Sequence, residues 1–258
     1  MSPATRAPEP AAVVLVDPIN DDARALWHAV LDLAEQLPED GWCLVGGLMV
    51  QLHAYRYEQR GVRPTQDVDV LADSRMRPRS LTEVIAERLL DLGYEVAQPA
   101  SAIDPPTICR FEREGATIDV LGPDGMKGTP PKTVGGFQTI QVPGGTQALA
   151  RTESVEIRVG DGRTGFVRCP NLAVALLLKA RVLRVAKGLR DQDRGDLVLL
   201  LACAEDPILI REHMTNSERG WLRKGAERLR IDEDDLADLF TSEQLARARA
   251  AFSLITAT

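Results

Sequence analysis

Apolar positions recur every three to four residues in some stretches of the chain and every second residue in others, which predicts helices mixed with strands. Leu26, Val30, Leu33 and Leu37 form one stripe, predicting a helix over 20–37 with Asn20 or Asp21 as its N-cap. The turn PEDG leads into WCLVGG, a short apolar strand ending in Gly46 and Gly47. LMVQLHAYRYEQ then reads as a helix carrying Leu48, Leu52 and Tyr55 on one side. RGVRPTQ is a loop, and DVDVLAD is a second strand. SLTEVIAERLLDLGYEV predicts another helix, closed by Gly93 and followed by a strand. PTICRFEREGATIDVLGP alternates like a β-hairpin turning near Glu114 and Gly115. The Gly/Pro-rich stretch 122–165 predicts short strands at GFQTIQV and SVEIRVG. From Pro170 onwards the pattern is helical, with two long runs in NLAVALLLKARVLRVAKGLRDQDRGDLVLLLACA and arginine-rich, acidic helices to the end.

This order predicts an α+β unit over 20–168 and a helical unit over 169–258. Residues 1–19 lack the charged n-region and apolar h-region of a signal peptide and are expected to form a flexible tail.

Composition narrows the function classes. A net charge of −7 over 258 residues argues against a broadly basic nucleic-acid surface, although a local basic groove remains compatible with it. Cys43, Cys109, Cys169 and Cys203 lie far apart with no CxxC pair, so they read as small buried hydrophobes in a reducing compartment. No apolar run reaches membrane-spanning length. The expectation is a cytoplasmic protein with no membrane partner. His28, His53 and His213 show no partner spacing and are given surface or core roles.

Asp67 and Asp69 stand out, because they interrupt an apolar strand. In a strand, residues i and i+2 face the same way, about 6 to 7 Å apart. Two carboxylates that close repel, and a proton, a cationic side chain or a divalent metal must relieve them. Mg²⁺ suits such oxygen donors and leaves coordination positions for phosphate. A strand–Gly-Gly–helix junction complements this, since the start of a helix offers free N–H groups to a phosphate. Asp119, on the return arm of the predicted hairpin, is the candidate third carboxylate.

Taken together, the Gly46-Gly47 pair and the R-x-T-x-D-h-D-h run of Arg63, Thr65, Asp67, Asp69 and Val70 resemble the DNA polymerase beta-like nucleotidyltransferase superfamily. More narrowly, the chain is similar to the AbiEii-like nucleotidyltransferase toxins. Two further motifs of that family match KARVLR (Lys179, Arg181, Arg184) and RDQDRGDL (Arg190, Asp193, Asp196, Leu197). Two departures are visible. Gln192 stands where the family has lysine, with Lys187 one helical turn or so earlier as a substitute, and Gly-Gly replaces the superfamily's Gly-Ser.

The resemblance implies a nucleotidyltransferase-type mixed sheet with flanking helices, followed by a helical C-terminal domain. It implies Mg²⁺ on Asp67, Asp69 and Asp119, with Asp119 as third carboxylate or base, and Gly46 and Gly47 cradling the triphosphate of an NTP substrate. Lys179 would contact phosphate, and Asp196 would complete the acceptor side or orient Lys179. Thr65, Arg184 and Asp193 would join the nucleotide site. The implied activity is transfer of an NMP to an acceptor, with the tRNA 3′ end as the leading candidate, by a toxin paired with an antitoxin encoded nearby. Arg56, Arg60 and Arg63 beside Lys179, Arg181 and Arg184 are expected to line a cleft for such an RNA.

Each feature also has a plainer reading. Asp67 and Asp69 are compatible with a solvent-facing strand edge, Asp119 and the glycines with ordinary turns. Lys179 is compatible with a snorkelling lysine, and RDQDRGD with a solvated helix start. Two rival functions follow: transfer to a small hydroxyl compound of the antibiotic type, and a binding module that keeps the fold without catalysis.

Overall fold

A computed structural model of the protein describes residues 13–75, 79–97, 107–126, 130–185, 191–227, 229, 236 and 238–257. The first part of the chain runs β1 (Val14–Val16), α1 (Asp21–Ala34), β2 (Trp42–Val45), α2 (Gly46–Arg56), β3 (Val68–Ala72), α3 (Leu81–Asp91), β4 (Glu95–Val96), β5 (Arg110–Arg113) and β6 (Ala116–Pro123). It continues through β7 (Gln141–Val142), α4 (Gly145–Ala150), β8 (Thr152–Val159) and β9 (Thr164–Pro170). Five helices follow: α5 (Leu172–Val185), α6 (Asp191–Ala202), α7 (Pro207–Glu212), α8 (Asn216–Ala226) and α9 (Ser242–Thr256). The architecture is α+β, a mixed sheet with flanking helices and a helical C-terminal region.

Local chemistry sets the helix starts. Asn20 accepts from the Ala23 amide at 2.8 Å, and Ser80 with Glu83, Thr215 with Glu218 and Thr241 with Gln244 form capping boxes. The main sheet has the order β2-β3-β6-β5-β4, with β7 pairing the end of β6. Its centre is the parallel pair β3–β6, flanked by antiparallel β2 and β5. That position explains why Val68, Val70, Ile118 and Val120 are buried and read as an apolar run. A second sheet, β1-β8-β9, packs beside it. In the C-terminal region α5 packs on α6 and α8, and α6 on α9 and α2. No helix among the described residues is long and apolar enough to cross a membrane.

The structure departs from the sequence expectations at several points. Val14–Val16, expected within a flexible tail over 1–19, is a strand, paired in parallel with Ile157–Val159. A three-residue strand is too short to show a period, and its partner lies far along the chain. Residue 168 lies within β9, whose Val167 and Cys169 are buried in a core cluster shared with the helices that follow. The GFQTIQV strand shrinks to Gln141–Val142, with isolated bridges from Gln138 to Thr107 and Lys132. Helix α4 was not anticipated. The hairpin turns as expected, with Arg113 opposite Ala116 and Gly115 at φ +78°.

Candidate active site

The glycine pair and the aspartates meet at one end of the central strands. Asp69 is the register partner of Asp119 on the neighbouring parallel strand, and Asp67 sits just before β3. All three line a cavity of about 810 Å³, together with Gly46, Gly47, Thr65, Lys179 and Asp193. Burial, then repulsion from Asp67 and Asp119, pushes the Asp69 carboxyl up to about 6. Thr65 Oγ1 donates to Asp67 Oδ1 at 3.2 Å.

Gly46 and Gly47 are the first residues of α2 and not the last of the strand. Gly46 has φ +66°, which disfavours any side chain, and a Cβ there would lie 1.8 Å from Asp69 Oδ2. A Cβ on Gly47 would lie 2.6 Å from Thr65 Oγ1. The glycines therefore admit the polar side chains of the neighbouring segment as well as exposing backbone to the cavity. The N-cap, Val45, supplies no side-chain hydrogen bond to the first turn of α2, and Gly46, Gly47 and Met49 of that turn line the cavity.

A second ion cluster includes two residues of the cavity lining, Arg63 and Lys179. The Lys179 ammonium is 2.8 Å from Asp196 Oδ2, and Arg63 donates to both Asp196 oxygens at 2.8 Å. Asp196 and Lys179 are buried. Burial opposes the Arg63 charge, but the pair with Asp196 prevails and holds the guanidinium above its ordinary pKa.

Arg110 is the residue that the sequence reading missed. It is the cross-strand partner of Asp119 and grips both of its oxygens, Nε to Oδ1 at 2.9 Å and Nη2 to Oδ2 at 2.8 Å. The same Nη2 reaches Asp67 Oδ2 at 2.9 Å. Hydrogen bonding to Asp119 raises the Arg110 pKa well beyond its ordinary value. The signal was present in the sequence: a two-residue turn at Glu114-Gly115 sets Arg110 opposite Asp119.

Three oxygen-only carboxylates, one of them with its charge disfavoured by burial, are a donor set whose chemistry fits Mg²⁺. Their present arrangement closes on the Arg110 guanidinium. Among the described residues no group of three or more His, Cys, Asp or Glu side chains is spaced to hold a metal ion.

No protein-family model matches the chain, and no curated protein matches it. Among solved structures it is similar to an antigenic nucleotidyltransferase-like protein from Paracoccidioides brasiliensis. The two share 15% identity with a TM-score of 0.48, over 87% of this chain and 93% of that one.

Other expected residues are placed elsewhere. Helix α5 contributes Leu178, Lys179 and Val182 to the cavity, but neither Arg181 nor Arg184. Arg184 lies about 140° around the helix from Lys179, since each residue turns about 100°. Arg181 instead stacks on Trp221 at 4.2 Å and approaches Asp124 at 3.5 Å. Arg56 pairs with Glu153 at 2.7 Å, and Arg60 is exposed outside the cavity. Of the expected cleft residues, Arg63 and Lys179 line the cavity, and Arg110, not among those expected, joins them. Gln192 does line the cavity, while Lys187 and Arg190 lie outside the described residues. Asp193 and Asp196 sit within α6 and are buried, not exposed caps at its start.

Proposed function

We propose that the protein is a Mg²⁺-dependent nucleotidyltransferase that takes an NMP from an NTP. The observation that carries this reading is the convergence on one cavity of Asp67, Asp69 and Asp119, the uncapped start of α2 and the buried Lys179. Asp67, Asp69 and Asp119 would hold the metal, which when bound neutralises phosphate charge and orients the reacting phosphate. The chain's own groups do the positioning. The α2 amides receive the distal phosphates, where the helix dipole favours negative charge. Lys179, aimed by Asp196, adds a cation that a leaving pyrophosphate needs. Asp119, which lines the cavity, would orient or deprotonate an acceptor hydroxyl.

The finer reading is that the acceptor is the 3′ end of tRNA and that the protein is a growth-inhibiting toxin with an antitoxin partner. Its support is the motif resemblance. A second reading changes only the acceptor, to a small hydroxyl compound. The site favours it in one respect: Arg63, Arg110 and Lys179, the cavity's basic residues, are all engaged with carboxylates, and the chain is acidic overall.

The test incubates the protein and its Asp69→Ala variant with Mg²⁺, each α-³²P-labelled NTP and total tRNA. The expected result is label on RNA with the wild type only. Label on no RNA, with Mg²⁺-dependent NTP binding retained, transfers the proposal to small acceptors. Full activity in the variant, or no NTP binding by the wild type, overturns the nucleotidyltransferase reading.

A further inference from the structure

We propose that Arg110 is an exchangeable counter-ion of the carboxylate cluster, competing with the divalent cation for Asp67 and Asp119. This rests on the nucleotidyltransferase reading and concerns how that site loads its metal.

Three observations carry it. First, one guanidinium ties together two of the three carboxylates, through Nη2 to Asp67 and through Nε and Nη2 to Asp119. Those oxygens are the ones a metal would need, so guanidinium and cation cannot both hold them. Second, Arg110 is held from the open side. Its side chain is 45% exposed, whereas that of Asp119 is 13% exposed, so the arginine can swing out while the carboxylate stays. Third, the hydrogen bonds of Arg110 end on the two flanking carboxylates and not on Asp69, the register partner of Asp119.

The charge balance supports exchange over permanent pairing. Three carboxylates with one guanidinium leave a net charge of −2 if all ionise, a balance suited to one incoming divalent ion. Once displaced, Arg110 stands on an edge of the cavity, within reach of an anionic group. In its seated position it disfavours a metal on the cluster.

The experiment measures Mn²⁺ binding by electron paramagnetic resonance of the free ion and by calorimetry, on the full chain. The proteins are the wild type, Arg110→Ala, Arg110→Lys and the double variant Arg110→Ala with Asp69→Asn. Removing a half-exposed competing cation a few ångströms from the site is expected to tighten Mn²⁺ binding about tenfold in Arg110→Ala. Arg110→Lys, which keeps the charge but loses the fork, should fall between the two. The double variant should lose the gain. Equal or weaker Mn²⁺ binding in Arg110→Ala, with binding still dependent on Asp69, overturns the exchange proposal and leaves the nucleotidyltransferase reading standing. No Mn²⁺ binding by any of the four overturns both. If Arg110→Ala does not fold, Arg110→Lys decides alone: affinity at or below the wild type overturns the proposal, and tighter binding supports it.

Discussion

The carboxylate of Asp69 occupies the space that a side chain on Gly46 would require: a Cβ built there lies 1.8 Å from Asp69 Oδ2. The glycine and the aspartate are thus one device. Gly46→Ala is expected to force Asp69 aside and to strain a backbone held at φ +66°. If Asp69 serves the proposed transfer, a displacement of its carboxylate by about 1 Å costs on the order of 100-fold in rate. Transfer assays on Gly46→Ala should show at least that loss, and near wild-type turnover would refute the coupling.

The raised pKa of Asp69 has a stability consequence with a definite sign. Its folded value of about 6 exceeds the ordinary 3.8, so the native state binds more protons than the unfolded state between those two values. The Asp69 contribution therefore falls as pH rises from about 4 to 6 and stays low above it. The Asp69→Asn variant removes that penalty and is expected to be more stable at pH 7.5 by about 2 kcal/mol while losing transfer. Urea unfolding of both proteins at pH 4.5 and pH 7.5 checks this; a variant less stable at both pH values would refute it.

Lys179 and Arg63 share one buried carboxylate, Asp196. Removing the shared anion should cost more than removing either cation. The Asp196→Asn variant leaves two cations facing each other and is expected to lose about 3 to 5 kcal/mol. The Lys179→Met variant keeps the forked Arg63–Asp196 pair and should lose about 1 to 2 kcal/mol, with transfer abolished in both. Chemical denaturation ranks the two, and the reverse order would show that Lys179 is held by something other than Asp196.

His53 predicts a pH effect of the opposite sign. Its Nε2 lies 3.0 Å from the Pro170 carbonyl oxygen, its Nδ1 is buried without a partner, and burial lowers its pKa to about 4. The unfolded state takes up a proton near pH 6.5, the native state only near 4. Stability from this group is complete above pH 6.5 and is lost as pH falls towards 4, by about 3 kcal/mol in all. His53→Gln should flatten that part of the stability–pH curve, measured as unfolding midpoints from pH 7 to pH 4.5. An unchanged slope would show that His53 is not the group responsible.

Much of this was legible in the chain. The stripe of Leu26, Val30 and Leu33, the β5–β6 hairpin and the apolar runs of β3 and α5 are local patterns, and burial of one face or of the whole element is enough to write them into the sequence. The same holds for Asp67, Asp69 and Asp119: a carboxylate in a buried strand is conspicuous because burying it is costly. Gly46, Gly47, Thr65, Lys179 and Asp193, singled out from their motifs, line one cavity, and Asp196 is ion-paired with Lys179.

What tertiary structure decided was pairing. The parallel partnership of β3 with β6 places Asp69 beside Asp119 across a long insertion, and no local period reports it. The pairing of β1 with β8 turned an expected tail into a sheet edge. Arg110 looks like an ordinary surface arginine in one dimension, and the motif that singled out Arg63 did not name its partner. Only strand register and helix packing show that the first closes the carboxylate cluster and the second anchors Asp196. Arg184 is the converse case, a motif residue that helix geometry turns away from the cavity. Side-chain periodicity is written residue by residue, whereas the partner of a charge depends on which segments the whole core brings within about 3 Å of one another. The sequence by itself therefore determined which charged and glycine residues interrupt the apolar elements, and the fold decided which charges hold one another.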